Sequence, residues 1–342
     1  MSITAFDQFT AAATAAFGLG FLALAMAFLL TPLYTYYAYR HRAWKRPRDS
    51  HLAPVFAEIH AEKHKRNIPT MAGLIMLVTV AAVTLIFNLD RQQTWLPLAA
   101  IIGAGLVGLL DDIINIRSTK EGIRGLRTPI KFALITAVAL AAAWFFCAKL
   151  GYNTFHIPYF GGVEVGWLLV PIFVLVVVST TAAVNISDGL DGLAGGLLSI
   201  AYATFGVIAL LQGDFGVGGF CFTIVGALLA YVWFNIYPAR FFMGNVGSFA
   251  LGTGLGVVAM LTDTLFLLPI VGFVFVLEAG SSIIQIFSKK LFGRKVFRSA
   301  PVHYHLEAIG WPEVKVTMRF WVIAQVCAAI GLILAISGGN VR

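Results

Sequence analysis

Apolar runs of about twenty residues recur along the whole chain, separated by short polar breaks. A helix rises about 1.5 Å per residue, so each run is close to the roughly 20 residues that cross a bilayer core of about 30 Å. The pattern predicts about ten transmembrane helices, near 15–38, 71–89, 94–110, 129–148, 167–184, 192–212, 217–237, 246–262, 264–287 and 317–338. The expected fold is therefore an all-α polytopic membrane protein forming a single domain over residues 1–342. A segment at 150–166 interrupts the pattern, and its Gly, Pro and aromatic residues predict a hairpin. No Lys or Arg precedes Arg40, so the first run reads as a retained span rather than a cleaved signal peptide.

Composition agrees: 59% of residues are hydrophobic and the mean hydropathy is +0.86. Cys147, Cys221 and Cys327 all fall inside apolar runs, which predicts reduced, packed thiols with no disulfide framework and no metal spacing.

Charge then orients the chain. Twenty-one of the twenty-four Lys and Arg residues fall in alternate loops, at 38–70, 111–131, Arg240 and 288–319, and the 185–191 loop on the same side has none. The opposite loops and termini hold Arg91, Lys149 and Arg342. Cytoplasmic loops collect Lys and Arg, so this asymmetry predicts a cytoplasmic basic face and both termini outside the cytoplasm. Such a face suits membrane lipid headgroups, phosphorylated substrates or nucleic acid, and topology alone also accounts for it.

The stretch Asn185-Ile186-Ser187-Asp188-Gly189-Leu190-Asp191-Gly192-Leu193-Ala194 sets two carboxylates and a carboxamide between apolar runs. Acids at a bilayer edge cost free energy unless a cation, a water-filled cavity or a ligand compensates them, so the stretch reads as part of a site. A helix-capping loop is the plainer alternative. Asp111-Asp112 form a second acid pair, and adjacent carboxylates repel unless a divalent cation or a Lys such as Lys131 is near.

Other residues on the same face complete the candidate set. Lys63, His64, Lys65 and Arg66 precede Pro69-Thr70-Met71. Such a cluster ahead of a span is usually a stop signal or a lipid-headgroup contact, a reading that taken alone weighs equally with a place in the site. Between Phe234 and Ser248, Gly244, Gly247 and Ser248 are suited to opening a helix toward a phosphate, and Phe242 to stacking on a ring. His303 and His305 lack the further ligands that zinc requires, which leaves phosphate contact as the expectation. Gly252, Gly254 and Gly256 follow no strand and read as helix packing.

Taken together, these motifs resemble one family, the polyprenyl-phosphate N-acetylhexosamine-1-phosphate transferases, over the chain from Lys65 to Arg319. The Asn185–Ala194 stretch resembles the mark of the whole family. Ala300-Pro-Val-His303-Tyr304-His305-Leu-Glu307, with Gly310-Trp311-Pro312-Glu313, resembles the histidine motif of its muramoyl-pentapeptide branch. The resemblance implies Mg2+-dependent attack of undecaprenyl phosphate on UDP-MurNAc-pentapeptide, with release of UMP, in the bacterial inner membrane, and involves no nucleic acid. It places Asp111 and Asp112 at the lipid phosphate, Lys65 and Lys131 on phosphates, and Asp188 among the catalytic acids. Asn185, Asp191, Phe242 and Gly244 would line the nucleotide-sugar cleft, with Asp191 and Phe242 near uracil, and His303 and His305 would reach the diphosphate or the sugar. The metal would sit on Asp111 and Asn245. A covalent route through an Asp nucleophile stays open, as does a homodimer formed through outer helix faces.

This sequence departs from the family pattern in places. Asn245 stands where the family usually has an Asp metal ligand, and an amide oxygen brings no charge, which predicts weaker metal binding. Asn115, Ile68, Ala72 and Tyr304 replace a usual Lys, Thr, Gly and His. The alternatives are a GlcNAc-1-phosphate transferase, an inactive or engineered variant that binds without turnover, a lipid-phosphate scaffold and a transporter. A transporter would hold its acids at mid-bilayer, whereas most here lie in loops.

Overall fold

The computed structural model describes residues 3–44, 67–117 and 125–341. Among them the apolar runs form ten long helices: α1 (Ile3–Arg40), α2 (Gly73–Phe87), α3 (Trp95–Arg117), α4 (Thr128–Trp144), α5 (Leu169–Ser187), α6 (Leu193–Gln212), α7 (Phe215–Asn235), α8 (Gly244–Leu261), α9 (Phe273–Phe292) and α10 (Glu313–Ser337). Eight of these segments are long and apolar enough to cross a membrane. The other two are α2, with 15 residues, and α9, which carries Glu278, Lys289 and Lys290. The fold is all-α apart from the 150–166 segment, where β1 (Thr154–Ile157) pairs antiparallel with β2 (Gly161–Glu164) in the expected hairpin.

Two boundaries differ from the sequence pattern. Helix α1 has 38 residues and spans about 57 Å, because no Gly or Pro stops it before residue 15; it also runs through Pro32. The ninth run, one span at 264–287 in the sequence pattern, is broken at Gly272. A one-turn helix, Leu268–Val271, precedes the break, and a Cβ at Gly272 would lie 2.9 Å from the Leu268 carbonyl oxygen. Gly280 is simply helical, with open space around it.

Helix α8 is the axis of the molecule, and every residue in it except Asn245 is buried. Its small residues let neighbouring backbones approach, which is the main route to tight association between membrane helices. A Cβ at Gly252 would lie 2.8 Å from the Thr181 Cα on α5, and the Thr181 and Thr253 hydroxyls are 2.8 Å apart. On α3, Gly108 meets the Asn245 carbonyl, so the N-terminus of α8 is drawn against α3. The Gly252–Gly256 run is thus helix packing, as its sequence context indicates.

Hydrogen bonds separate the two ends of the bundle. At one end, Phe242 N–H donates to the Pro69 carbonyl at 2.8 Å and Ala72 N–H to the Phe242 carbonyl at 3.0 Å, joining the α1–α2 and α7–α8 connections. At the other end, the hairpin is tied down by His156 N–H on Asp263 Oδ1 at 2.7 Å, and Gln212 and Asn340 link the neighbouring turns.

Candidate active site at one end of the bundle

Asp111 and Asp112 lie in the last turns of α3, and both are fully buried. Buried carboxylates persist only with charge or hydrogen-bond compensation. Asp111 has both: Lys131 Nζ at the start of α4 is 2.8 Å from Oδ2, Leu126 N–H donates to Oδ1 at 2.6 Å, and the Asn245 amide donates to Oδ2. Lys131 retains about a quarter of its side-chain exposure, so it faces outward from the pair. Asp112 Oδ2 accepts Val246 N–H at 3.1 Å, in the first turn of α8, where a helix presents unsatisfied N–H groups and partial positive charge.

Gly244 opens α8 with φ +76°, a conformation L side chains rarely adopt, and a Cβ there would sit 2.6 Å from Asp112 Oδ2. From α5, Asn185 Nδ2 donates to Asn245 Oδ1 and to Ser248 Oγ, both at 2.9 Å. A continuous chain therefore runs Asn185–Asn245–Asp111–Lys131 across four helix ends.

In this arrangement Asn245 turns its amide nitrogen to Asp111 and its oxygen to Asn185. Among the described residues no three His, Cys, Asp or Glu side chains cluster as a metal-holding group. Magnesium, however, needs only one or two protein carboxylates when substrate phosphates and water supply the rest, and Asp111 with Asp112 meet that requirement. Asn245 would have to turn its amide over to contribute.

The second acid motif divides into two parts. Asp188 caps the C-terminus of α5, three residues after Asn185, and is half-buried. Asp191 is 2% exposed and engaged with protein: its Oδ2 accepts Ala239 N–H at 3.0 Å, its N–H donates to Glu313 Oε1 at 2.7 Å, and its carbonyl accepts the Thr317 hydroxyl at 3.2 Å. It ties three segments together, so its carboxylate is not presented to a nucleobase as the motif suggests. Asn235 acts alongside it, accepting Gly192 N–H at 2.9 Å and donating to the Phe241 carbonyl at 2.8 Å.

The histidines also part company. They lie two residues apart in a short helix, Val302–Ala308, about 200° apart around its axis. His303 is fully buried, and its Nδ1 lies 2.7 Å from Glu278 Oε2 on α9. His305 faces the other way: its Nδ1 accepts Arg298 N–H at 3.2 Å and its ring meets Phe297 edge-on. Phe242 is half-buried beside the Pro69–Ala72 connection. Lys65 and its basic neighbours lie outside the described residues.

Sequence reasoning missed several contributors. Tyr34, on α1, donates to the Thr70 carbonyl at 2.6 Å and packs edge-on against Phe241. Glu313 and Asn235 are ordinary polar residues in the sequence, and only their distant partners give them a role. Nothing in the local sequence around Tyr34 marks it.

Comparison with known proteins fits this geometry. Residues 94–263, which include Asp111, Asp112, Asp188 and Asn245, match the model for glycosyl transferase family 4. A phospho-N-acetylmuramoyl-pentapeptide-transferase from Chloroflexus aggregans is 38% identical over 93% of this chain and 90% of its own length. The chain belongs to the phospho-N-acetylmuramoyl-pentapeptide transferases. Relatives of the same name from Syntrophus aciditrophicus and Caldanaerobacter subterraneus are each 36% identical, the first over 84% of this chain and 86% of its own length, the second over 77% and 82%. This transferase is thus a multi-pass membrane protein whose buried aspartates, Asp111, Asp112 and Asp191, lie within the matched region.

Proposed function

We propose that this transferase moves phospho-MurNAc-pentapeptide from UDP-MurNAc-pentapeptide to undecaprenyl phosphate, giving lipid I and UMP for peptidoglycan synthesis. The reaction occurs at the cytoplasmic face of the bacterial inner membrane, with both termini on the other side. The observation that carries this reading is the meeting of Asp111, Asp112, Lys131, Asn185 and Asn245 at one end of the bundle, the end that, among the described residues, also bears most of the basic side chains.

Two anions must meet for the transfer, so the site has to supply positive charge where the phosphates sit. Lys131 is placed for that, held by Asp111 and partly exposed, and the α8 N-terminus adds N–H groups beside Asp112. Asp111 and Asp112 would hold magnesium, which would supply positive charge for the phosphates and for the leaving UMP. A lipid phosphate oxygen attacks the sugar-linked phosphorus while the anhydride P–O bond to UMP breaks; Asp111, through Lys131, positions that oxygen. Asn185, Asp188 and Phe242 face the nucleotide sugar. Lys65 is assigned to phosphate on its motif alone. An apolar cavity of about 340 Å³ between α5, α8 and α9, lined by Val176, Val184, Leu255, Phe275 and Ile283 among others, begins within one residue of Asn185 and takes part of the polyprenyl chain.

UMP release in detergent from UDP-MurNAc-pentapeptide and undecaprenyl phosphate, across a magnesium series, tests the reading for this chain and for Asn245→Asp. Turnover by the unaltered chain is expected, with half-maximal activity at lower magnesium after Asn245→Asp. Silence from both proteins would refute the muramoyl assignment.

A further inference from the structure

Glu278 is the only charged residue of α9 before Lys289, and it is fully buried. An apolar side chain of similar volume would occupy the place at lower cost, so packing does not account for it. Among the described residues its carboxylate has one hydrogen-bond partner, His303 Nδ1, equally buried and 2.7 Å away. A second bond fixes the same junction: Ser281 Oγ, one turn further along α9, accepts Val302 N–H at 3.0 Å at the start of the histidine helix.

The consequence lies on the far side of the ring. With Nδ1 held by Glu278, the other nitrogen is turned away from α9, and that Nε2 is buried without a hydrogen-bond partner. It abuts Gly189, where a Cβ would also meet His303 Cε1 at 2.9 Å and the Tyr304 hydroxyl at 2.8 Å. Gly189 lies between half-buried Asp188, three residues after Asn185 of the site, and Asp191, which ties the turn to α10 and the α7–α8 connection.

On the transferase reading above, we propose that Glu278 is a positioning residue. Acting through His303, it holds the Asp188–Asp191 turn in the geometry that receives the diphosphate end of the nucleotide sugar. It touches no reacting atom. Its carboxylate selects which imidazole nitrogen faces the turn and blocks rotation of the ring, as carboxylates do for metal-bound histidines.

The test is a double-mutant cycle on steady-state UMP release in detergent, with Glu278→Met, Glu278→Gln, His303→Ala and the Met/Ala pair. Glu278→Met keeps the volume and removes the acceptor. It is expected to lower kcat/KM for UDP-MurNAc-pentapeptide by roughly 10–100-fold, leaving KM for undecaprenyl phosphate unchanged. Glu278→Gln keeps an acceptor for Nδ1–H and loses less. In the His303→Ala background, Glu278→Met costs nothing more, a non-additivity that a purely structural role would not produce. Should Glu278→Met fail to fold, folded His303→Ala must show the same donor-selective loss. Full turnover by either variant, or losses that multiply in the pair, overturns the positioning role while the unaltered chain still turns over. Silence from the unaltered chain overturns the transferase reading and this role with it.

Discussion

Removing the Lys131 ammonium is the perturbation that most directly separates stability from function at this site. Asp111 is fully buried, so Lys131→Met leaves a buried carboxylate without its cation. Breaking a buried pair from one side costs about 3–5 kcal/mol. Two features reduce that figure here: Lys131 is about a quarter exposed, so part of its attraction is already screened, and Asp111 keeps N–H donors from Leu126 and Asn245. About 2–3 kcal/mol of destabilisation is therefore expected for the single variant. Asp111→Asn with Lys131→Met removes both charges and should recover about 1–2 kcal/mol of that loss, because the carboxylate no longer lacks a counter-ion. Activity behaves differently. Loss of a positioned cation at a transferring phosphate costs about 10²–10³-fold in kcat, and the double variant, although it melts closer to the unaltered chain, should remain at least as slow as the single one. The assay pairs thermal unfolding in detergent with UMP release on the same preparations. If Lys131→Met melts like the unaltered chain, the ion pair carries no stability. If the double variant regains turnover, Lys131 serves only to neutralise Asp111, and its phosphate role is refuted.

Two further outcomes follow from the geometry. Gly244→Ala places a methyl group 2.6 Å from Asp112 Oδ2 on a backbone with φ +76°, so it should cost at least about 1 kcal/mol of stability and most of the turnover, read as a lower melting temperature and slower UMP release. At the opposite end, burial raises the Asp214 carboxyl above its ordinary 3.8, so the folded state holds that proton more tightly than the unfolded chain does. Its contribution to stability is then complete below pH 3.8 and is lost as the pH rises through the folded value. Asp214→Asn should therefore flatten the melting temperature across the carboxylate range without lowering it at neutral pH, and a clear drop at neutral pH would contradict this.

The ten apolar segments, the hairpin at 150–166 and the gathering of the reactive loops on one face were all legible in the chain. Hydrophobicity accumulates residue by residue over a twenty-residue window, and loop charge is a sum, so neither needs a partner to be recognised. The acids at Asp111, Asp112, Asp188 and Asp191 stood out for the same reason, as costly groups at a bilayer edge. What each one touches depends on three-dimensional neighbours. Asp188 and Asp191 look equivalent in the motif, yet one is half-buried and the other is buried against Ala239, Glu313 and Thr317. His303 and His305 look like a pair, but a helix puts them on opposite sides, and the partner of His303 comes from 25 residues away on α9. Asn245 reads as a ligand in sequence, whereas its amide is oriented by Asn185 and Asp111. Hydrogen bonds and ion pairs are short-ranged and directional, so they depend on where helices from distant parts of the chain come to rest. Here the sequence determined which segments are apolar enough to enter the membrane, and tertiary packing around α8 decided which polar groups bond to one another and which stay partly exposed.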